Sequence, residues 1–308
     1  MGAGSIAAGW LADRVFGDPQ RRHPVAAFGA AAGALERRVW KPSRSAGVLY
    51  ALALTGAVAG GVGWIERRLI AHRRCRAVFG SLIVWTALGG RSLERAAATL
   101  ADAVDAGELA RARELAPALV GRDPSNLDAA ELCRAAIESV AENTSDAVVA
   151  PLLWATLLGA PGVAGYRAVN TLDAMVGHRS DRYRRFGSAA ARMDDLANWP
   201  AARLSALLAI AWAPVVGGQR ADAWRGAWID GAAHPSPNAG RVEGSFAGAL
   251  SLRLGGVNRY AHGNERRPAL GTGAPPAATD IARSVLLARL VGASAAVLCA
   301  ALARTVRR

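Results

Sequence analysis

Long uncharged runs alternate with polar, arginine-rich stretches along the chain. Residues 46–65 carry no charge for twenty residues, which is the length of a transmembrane helix. Residues 204–219 form another uncharged run, and the C-terminal apolar helix 281–303 is interrupted by Arg289. The pattern predicts an all-α fold. The protein is expected to be a polytopic integral membrane protein with about four to five transmembrane or re-entrant helices.

Two further apolar runs are too short to cross a bilayer unaided. Residues 1–12 form a short N-terminal segment, and residues 77–90 cover only fourteen positions. A bilayer core needs about 20 helical residues. We therefore expect the second run to cross only if it is tilted or extended into its flanks.

The central run 147–166 has two readings, because it contains Pro151 and Pro161 and proline breaks helices. It is either a single crossing or a re-entrant helical hairpin. Two similar tetrapeptides, Asn143–Asp146 and Asn170–Asp173, flank it. A hairpin brings both to one membrane face, whereas a single crossing separates them. Asn, Thr and Asp are also good helix caps, which leaves a purely structural reading open.

The polar stretches are expected to carry amphipathic helices within one membrane domain, 1–308. Residues 91–146 predict a helical polar insertion, and Leu93 to Val104 supply apolar positions at helical spacing. Ser125 with Asp128 predicts a capping box for the next helix. Residues 220–280 are polar and turn-rich and predict a polar loop region ahead of 281–303.

A run of carboxylates marks the most informative helix. Glu138, Glu142 and Asp146 are spaced i, i+4, i+8, so an α-helix places all three on one face. Like charges on one face repel unless a cation or ligand compensates them. Beside a membrane-length apolar run, the cluster indicates a site. Asp194 and Asp195 form a second acidic pair.

Composition narrows the class of protein. Hydrophobic residues make up 52% and charged residues 20% of the chain, and the mean hydropathy is +0.17. The net charge of +13 fits basic cytoplasmic loops or anionic substrates. Nucleic acid is not an expected partner, because the basic residues lie in loops and not on one stripe. The basic loops 13–45 and 66–76 flank one predicted span, so the positive-inside rule leaves the orientation open.

The cysteines and the N-terminus add little. Cys75, Cys133 and Cys299 are scattered without a CxxC pattern, which predicts neither a disulfide framework nor a zinc site and fits a reducing compartment. The first residues, MGAGSIAAGWLAD, lack a basic n-region and a convincing cleavage site. No cleaved signal peptide is expected.

Several long motifs resemble one family. The motifs are ENTSDAVVAPLLW, YRAVNTLDAMVGHRSDRYRRFG, ARMDDLANWPAARL and HPSPNAGRVEGSFAGALSLRLGG, together with GDPQRRHPV and GRDPSNLD. They resemble the CbiB/CobD family of cobalamin biosynthesis, the adenosylcobinamide-phosphate synthases, over most of the chain. One departure is Pro200, which stands one place earlier than the family pattern has it. Another is His178-Arg179, where the family commonly has an aromatic residue and lysine.

The resemblance implies a multi-pass enzyme of the cell membrane whose active site faces the cytoplasm. Such an enzyme joins aminopropanol, free or phosphorylated, to the f-propionate carboxyl of adenosylcobyric acid. The bond is an amide and the reaction depends on ATP. The implied partners are these small molecules, the lipid bilayer and other late cobalamin-assembly enzymes.

Amide formation from a carboxylate needs activation, which ATP supplies. The protein must hold Mg²⁺, neutralise phosphates and orient two substrates. Hard oxygen ligands suit Mg²⁺, and the candidate ligands are Glu142, Asp146 and Asp195. The chain contains no Walker P-loop, so no nucleotide motif indicates where ATP binds. The catalytic candidates are Glu138, Glu142, Asn143, Asp146, Asp194, Asp195 and His234.

A second group of polar side chains is expected to bind substrates. Arginines between 179 and 185 suit phosphate or carboxylate but equally suit a lipid-headgroup anchor. His178 or His234 is a candidate base, although His-Pro and Asp-Pro pairs also shape turns. The substrate-binding candidates are Asp18, His23, Arg122, Asp123, Asn170, Thr171, Asp173, His178, Arg179, Arg182, Tyr183, Asn198, Ser236 and Asn238.

Two other function classes compete with the membrane amide synthase. A transporter also combines polar residues with broken apolar helices. The polar motifs, however, cluster in loops and at helix ends, and the hydropathy shows no paired halves. A non-catalytic membrane anchor for corrinoid enzymes is the third possibility, and it leaves the carboxylate cluster without a role.

Overall fold

The computed structural model describes residues 1–19, 23–121, 123–178, 180–260 and 263–305. Of residues 258–260 and 263–265, it describes only the backbone. Within this part of the chain, the helices are α1 Ala3–Phe16, α2 Pro24–Val39, α3 Arg44–Arg68, α4 Arg73–Ala87, α5 Gly90–Asp105, α6 Leu109–Leu115, α7 Ala129–Thr144, α8 Ala150–Leu172, α9 Tyr183–Phe186, α10 Ser188–Trp212, α11 Arg220–Trp228, α12 Ala239–Leu250 and α13 Ala278–Thr305.

Shorter elements complete the description. Strands β1, Leu254–Tyr260, and β2, Gly263–Leu270, pair antiparallel. Two π-turns lie at Ser145–Val149 and Asp173–Gly177. Turns of 3-10 helix lie at Ala116–Ala118, Ala213–Val216 and Asp230–Ala233.

The chain divides into two compact units. The first unit comprises Met1–Gly89, Ala150–Asn198 and Ala296–Arg308. The second unit comprises Gly90–Val149 and Trp199–Ala295. Each unit is therefore built from segments that are distant in sequence.

Within the described part of the chain, four helical segments are long and apolar enough to cross a membrane. They are Arg44–Arg68, Ala129–Gly177, Ser188–Val216 and Ala278–Thr305. The prediction of an all-α polytopic membrane fold is confirmed. The two short runs form α1 and α4, which have 14 and 15 residues and are not among the four.

The helix α8 bends sharply at Gly159. This glycine has φ +73° and ψ −154°, a conformation that residues with a Cβ rarely adopt. A Cβ added at Gly162 would lie 2.8 Å from the carbonyl oxygen of Trp154, eight residues earlier. In a straight α-helix, residues eight positions apart are about 12 Å apart along the axis. The chain therefore folds back on itself here, which is the geometry of a helical hairpin.

The core of the first unit forms where α2, α3 and α9 meet the end of α8. Tyr50, Leu172 and Phe186 are buried there together with Ala32. The Tyr50 hydroxyl donates to the carbonyl oxygen of Ala32 at 3.0 Å. By contrast, Leu49 on α3 is 71% exposed, as expected for a helix that faces lipid.

The prediction of a polar loop region at 220–280 is wrong, because much of this stretch is regular secondary structure in the second unit. This stretch contains α11, α12 and the hairpin, and every residue of α12 except Arg241 is buried. The stretch reads as polar because small residues replace large apolar ones. Gly226 on α11 and Gly244 on α12 bring the two backbones into direct contact, which only small residues allow.

The N-terminus of α7 is capped one turn later than predicted. Asp128 is the N-cap, and its side chain accepts from the backbone N–H of Glu131 at 2.8 Å. The Glu131 carboxylate accepts from the N–H of Asp128 at 3.0 Å, which completes a capping box. Ser125 instead donates to Asp123 Oδ1 at 2.6 Å. An acid followed by an acid at N3 forms the box here in place of the predicted Ser-Asp pair.

Candidate functional site

A carboxylate-lined cavity lies in the second unit, alongside α7. Its volume is about 100 Å³. Glu138, Glu142 and Asn143 line it from α7, Glu243 from α12 and Arg267 from β2. We call it the acidic cavity. Three of the predicted catalytic residues therefore meet in one place.

Glu138 is held inside this cavity wall. Its Oε1 accepts from Arg134 Nη1 at 3.1 Å and from the backbone N–H of Gly255 at 2.9 Å. Gly255 has φ +82°, at the register shift of the hairpin, so a β-bulge directs this N–H at the carboxylate. Glu138 is 5% exposed. It therefore anchors the hairpin to α7.

Glu142 is the carboxylate of α7 that solvent reaches. It is exposed, one helical turn beyond Glu138. The neighbouring Asn143 donates to the carbonyl oxygen of Ser139 at 2.9 Å and to its Oγ at 3.2 Å. Of the three predicted carboxylates, Glu142 is the one placed to meet a ligand from outside.

Asp146 is not one of the described residues that line the acidic cavity. It lies in the π-turn Ser145–Val149. A π-turn holds one residue more than an α-turn. The predicted carboxylate face thus supplies Glu138 and Glu142 to the described lining of the cavity, and a shared site with Asp146 stays a prediction.

Glu243 and Arg267 were not predicted. Glu243 is completely buried, with its Oε1 3.7 Å from Arg267 Nη1 and its Oε2 4.0 Å from His234 Nε2. The sequence did carry a signal for Glu243, which is the only carboxylate in the stretch 239–250. Lone acids in buried apolar stretches are rare unless they are paired. Arg267 had no comparable signal.

The loop before α12 contains the other polar residues of the HPSPN motif. His234 Nδ1 accepts from the N–H of Ser236 at 3.1 Å, and the ring is buried. Ser236 Oγ accepts from the N–H groups of Asn238 and Ala239, at 3.3 and 3.2 Å. Asn238 Oδ1 accepts from Arg203 Nη1 at 2.7 Å, and Arg203 stacks on Trp199. These side chains shape the N-terminal turn of α12.

A polar network in the first unit centres on Asp194. Its Oδ1 accepts from Asn170 Nδ2 at 3.2 Å, and its Oδ2 accepts from Asn198 Nδ2 at 2.9 Å. The Tyr166 hydroxyl donates to Asn198 Oδ1 at 2.7 Å, and Arg167 Nη1 donates to Asn170 Oδ1 at 3.1 Å. These hydrogen bonds connect the predicted residues Asn170, Asp194 and Asn198. They also include Tyr166 and Arg167, which were not predicted.

His23 and Asp18 lie near this network. His23 is the N-cap of α2, and its Nδ1 accepts from the N–H of Val25 at 3.2 Å. Partial burial lowers the pKa of His23, with the positive charge of Arg167 acting in the same direction and Asp18 opposing it. The imidazole is therefore biased toward its neutral form.

The two Asn-Thr-x-Asp elements share a local structure. Thr144 Oγ1 donates to the carbonyl oxygen of Val140 at 2.6 Å, and Thr171 Oγ1 donates to that of Arg167 at 2.7 Å. Each element leads directly into a π-turn, the second of which begins at Asp173. Such turns occur frequently at functional sites. Asp195 lies half-buried beside Asp194, close enough for the two charges to interact.

Arg182, Tyr183 and His178 form a surface cluster of the first unit. Arg182 Nη2 donates to Glu36 Oε1 at 2.7 Å and stacks over the Trp40 ring. The Tyr183 hydroxyl donates to the same oxygen at 3.3 Å, and His178 packs edge-on against Tyr183. The bond to Glu36 raises the pKa of Arg182. This cluster joins α2 to the segment before α9.

The remaining predictions concern turns and metal ligands. Asp123 accepts from the N–H of Ser125 at 3.0 Å in an exposed turn. Arg122 and Arg179 lie outside the described residues. Among the described residues, no three His, Cys, Asp or Glu side chains converge as a metal site. Mg²⁺ is commonly held by one or two carboxylates plus substrate phosphates, so oxygen donors such as Glu142 and Asp146 fit it chemically.

Comparisons with known proteins agree with the sequence motifs. A family model described as CobD/Cbib protein matches residues 6–288. "Cobalamin biosynthesis protein CobD" of Mycobacterium tuberculosis (strain CDC 1551 / Oshkosh) is 51% identical over 294 residues, 95% of this chain and 93% of the relative. The protein of the same name from Geobacter metallireducens is 44% identical over 266 residues, 85% of this chain and 84% of the relative. No solved structure matches the chain.

Proposed function

The chain belongs to the CobD/Cbib family of cobalamin biosynthesis proteins, and we propose that it forms an amide bond in that pathway. The substrates we propose are adenosylcobyric acid, aminopropanol or its phosphate, and ATP. The enzyme is a multi-pass protein of the cell membrane with its active site toward the cytoplasm.

The acidic cavity is the observation that carries this proposal. An amine donor is a cation at neutral pH, and Glu138, Glu142 and Glu243 all line the cavity. A carboxylate within a few ångströms stabilises a cation more strongly in a partly desolvated cavity than in water. Arg267 balances part of the negative charge and suits a phosphate on the same donor. The cavity is therefore complementary to a small amino alcohol or its phosphate.

The chemistry has two steps. In the first, the propionate carboxylate attacks the γ- or α-phosphorus of ATP, and the bond to the leaving ADP or pyrophosphate, respectively, breaks. In the second, the amine nitrogen attacks the activated acyl carbon, and phosphate or AMP leaves with the electron pair of the C–O bond. The nitrogen must lose protons to attack and to become an amide. Glu142 is exposed to the cavity and accepts one of them as a general base.

Mg²⁺ bound with ATP would neutralise phosphate charge during the first step. Asp146, which belongs to the same unit as the acidic cavity, is the proposed protein ligand, in keeping with the preference of Mg²⁺ for hard oxygen donors, and Glu142 is kept as the general base. Glu138 and His234 take positioning roles in this proposal. Glu138 fixes the hairpin that carries Arg267, and His234 fixes the turn before Glu243.

A reconstituted assay tests the proposal. Full-length protein in lipid nanodiscs is incubated with adenosylcobyric acid, ATP, Mg²⁺ and either amine, and the amide is detected by mass spectrometry. We expect product only when all components are present. Analysis of the nucleotide product, ADP or AMP, distinguishes an acyl phosphate from an adenylate. Absence of amide with both amines would refute the proposed reaction.

Variants test the residue assignment. Glu142→Gln and Asp146→Asn should lose activity, whereas Glu114→Gln, which removes an exposed carboxylate of α6 in the same unit, should retain it. If both variants turn over normally, the site is elsewhere. Liposomes test the transporter alternative: accumulation of corrinoid without any amide would favour transport. Corrinoid binding with neither activity would favour a non-catalytic anchor.

A further inference from the structure

A second cavity lies within the first unit, among α2, α3, α4 and α8. Its volume is about 130 Å³. Nine of its twelve lining residues are apolar, including Phe28, Val58, Val62 and Ile83. The exceptions are Thr86, Arg167 and Thr171. We call it the Arg167 pocket, because Arg167 is the one charged side chain among its described lining residues.

Arg167 is only partly satisfied by the protein. Its Nη1 donates to Asn170 Oδ1 at 3.1 Å. Its Nε is buried and donates to no acceptor among the described residues. A buried N–H of a charged group without a partner is costly. A ligand that supplied an acceptor would therefore gain a charge-assisted hydrogen bond as well as cover the apolar wall.

The network around Asp194 fixes this guanidinium. Asn170 accepts from Arg167 and donates to Asp194, whose other oxygen is held by Asn198. The Asn170 side chain thus connects Arg167 to Asp194. Among the described residues, no carboxylate accepts a hydrogen bond directly from the guanidinium. A direct ion pair would have occupied the donor atoms. The arrangement orients Arg167 and leaves it able to bind an external anion.

We infer that the Arg167 pocket binds an alkyl carboxylate: the propionate arm of the corrinoid substrate, with its carboxylate on Arg167 and its methylenes on the apolar wall. The inference rests on the proposed function. The composition of the wall favours this occupant, because a phosphate group offers no apolar portion to fill it. The cavity volume suits a side arm and leaves the corrin ring outside.

Equilibrium binding tests the inference without turnover. Full-length protein in nanodiscs is titrated with adenosylcobyric acid in the absence of ATP and amine, with quenching of tryptophan fluorescence as the readout. Arg167→Gln should weaken binding by roughly 10- to 100-fold, the loss expected for a charge-assisted hydrogen bond. Adenosylcobinamide, whose arm ends in an amide, should bind the variant and the wild type equally.

Matched variants separate the pocket from general effects on folding. Val62→Trp narrows the apolar wall without touching Arg167 and should also weaken binding of the acid. Arg167→Lys should restore part of the affinity, because it returns the charge without the planar fork. Arg44→Gln removes an exposed arginine at the start of α3 and should change nothing. Circular dichroism melts confirm that each variant is folded.

Several results would overturn the inference. Equal weakening of acid and amide binding in Arg167→Gln would reduce Arg167 to a structural residue. Full affinity in Val62→Trp would place the arm elsewhere. Competition by inorganic phosphate that requires Arg167 would make the pocket a phosphate site. These outcomes are distinct from failure of the proposed function, in which the acid binds through Arg167 but no amide forms.

Discussion

The acidic cavity and the Arg167 pocket differ in the sign of the charge that each is suited to bind. Among the described residues, three glutamates and one arginine line the acidic cavity, and Glu142 is the carboxylate exposed to its ligand. The Arg167 pocket surrounds a single guanidinium with aliphatic side chains. The first is suited to a small cation and the second to an anion attached to hydrocarbon.

Steady-state kinetics provide the strongest test of this contrast. Glu142→Gln should lower kcat by roughly 10²- to 10⁴-fold, the usual contribution of a general base. Arg167→Gln should chiefly raise the KM for adenosylcobyric acid and leave the KM for the amine unchanged. If both variants change the same parameter to the same extent, the two cavities do not have separate roles.

The buried anchor of the acidic cavity should matter for stability. Glu138→Ala leaves Arg134 buried beside an empty space, and breaking a buried pair costs about 3–5 kcal/mol. Chemical denaturation in detergent micelles, followed by circular dichroism, measures the change. The matched exposed substitution Glu114→Ala should cost little. Comparable losses for the two variants would show that Glu138 does not anchor the hairpin.

Substitution of Gly159 tests how much the bend in α8 contributes to the stability of the first unit. Gly159→Ala forces a residue with a Cβ into φ +73°, which costs about 1–3 kcal/mol. Gly56→Ala on α3, where a Cβ meets no atom within 4 Å, is the matched control. We expect a lower midpoint of thermal unfolding for the first variant only. An unchanged midpoint would mean that the bend relaxes without strain.

His23 should produce the smallest effect, a mild sensitivity to acid. Its pKa is lowered in the folded protein, mainly by burial, so below about pH 6.5 the unfolded chain binds a proton more readily than the folded one. Stability is therefore present above that pH and declines as pH falls toward the folded pKa. His23→Asn keeps a capping acceptor and should flatten the decline in melting midpoints between pH 7.5 and 5.5. A variant that declines as steeply as the wild type would contradict this assignment.

Some features could be predicted from sequence because they depend on local pattern. The uncharged runs marked the spans, and helical spacing correctly placed Glu138 and Glu142 together. The π-turn that contains Asp146 was not predicted, because α periodicity contains no sign of it. The prediction for the stretch 220–280 was wrong because glycines, and not large apolar side chains, allow α12 to pack closely and become buried. The sequence of α12 therefore looked polar.

The other omissions depend on contacts between distant segments. Arg167 follows an apolar run and resembles any arginine at a helix end. Its role emerges only when Asn170 and Asp194, 24 positions apart, lie side by side. Arg267 likewise depends on the hairpin that the bulge at Gly255 fixes to α7. Glu243 is different, because its isolation among small apolar residues was visible in the sequence.

The π-turns have a consequence for how this chain tolerates changes in length. Deleting one residue from an ordinary helix rotates everything beyond it by about 100°. A π-turn already holds one extra residue, so a deletion within Ser145–Val149 would convert it to a regular α-turn and keep the flanking helices in phase. The positions around Asp146 and Asp173 are therefore where a single-residue deletion would alter the local chemistry yet spare the rest of each helix.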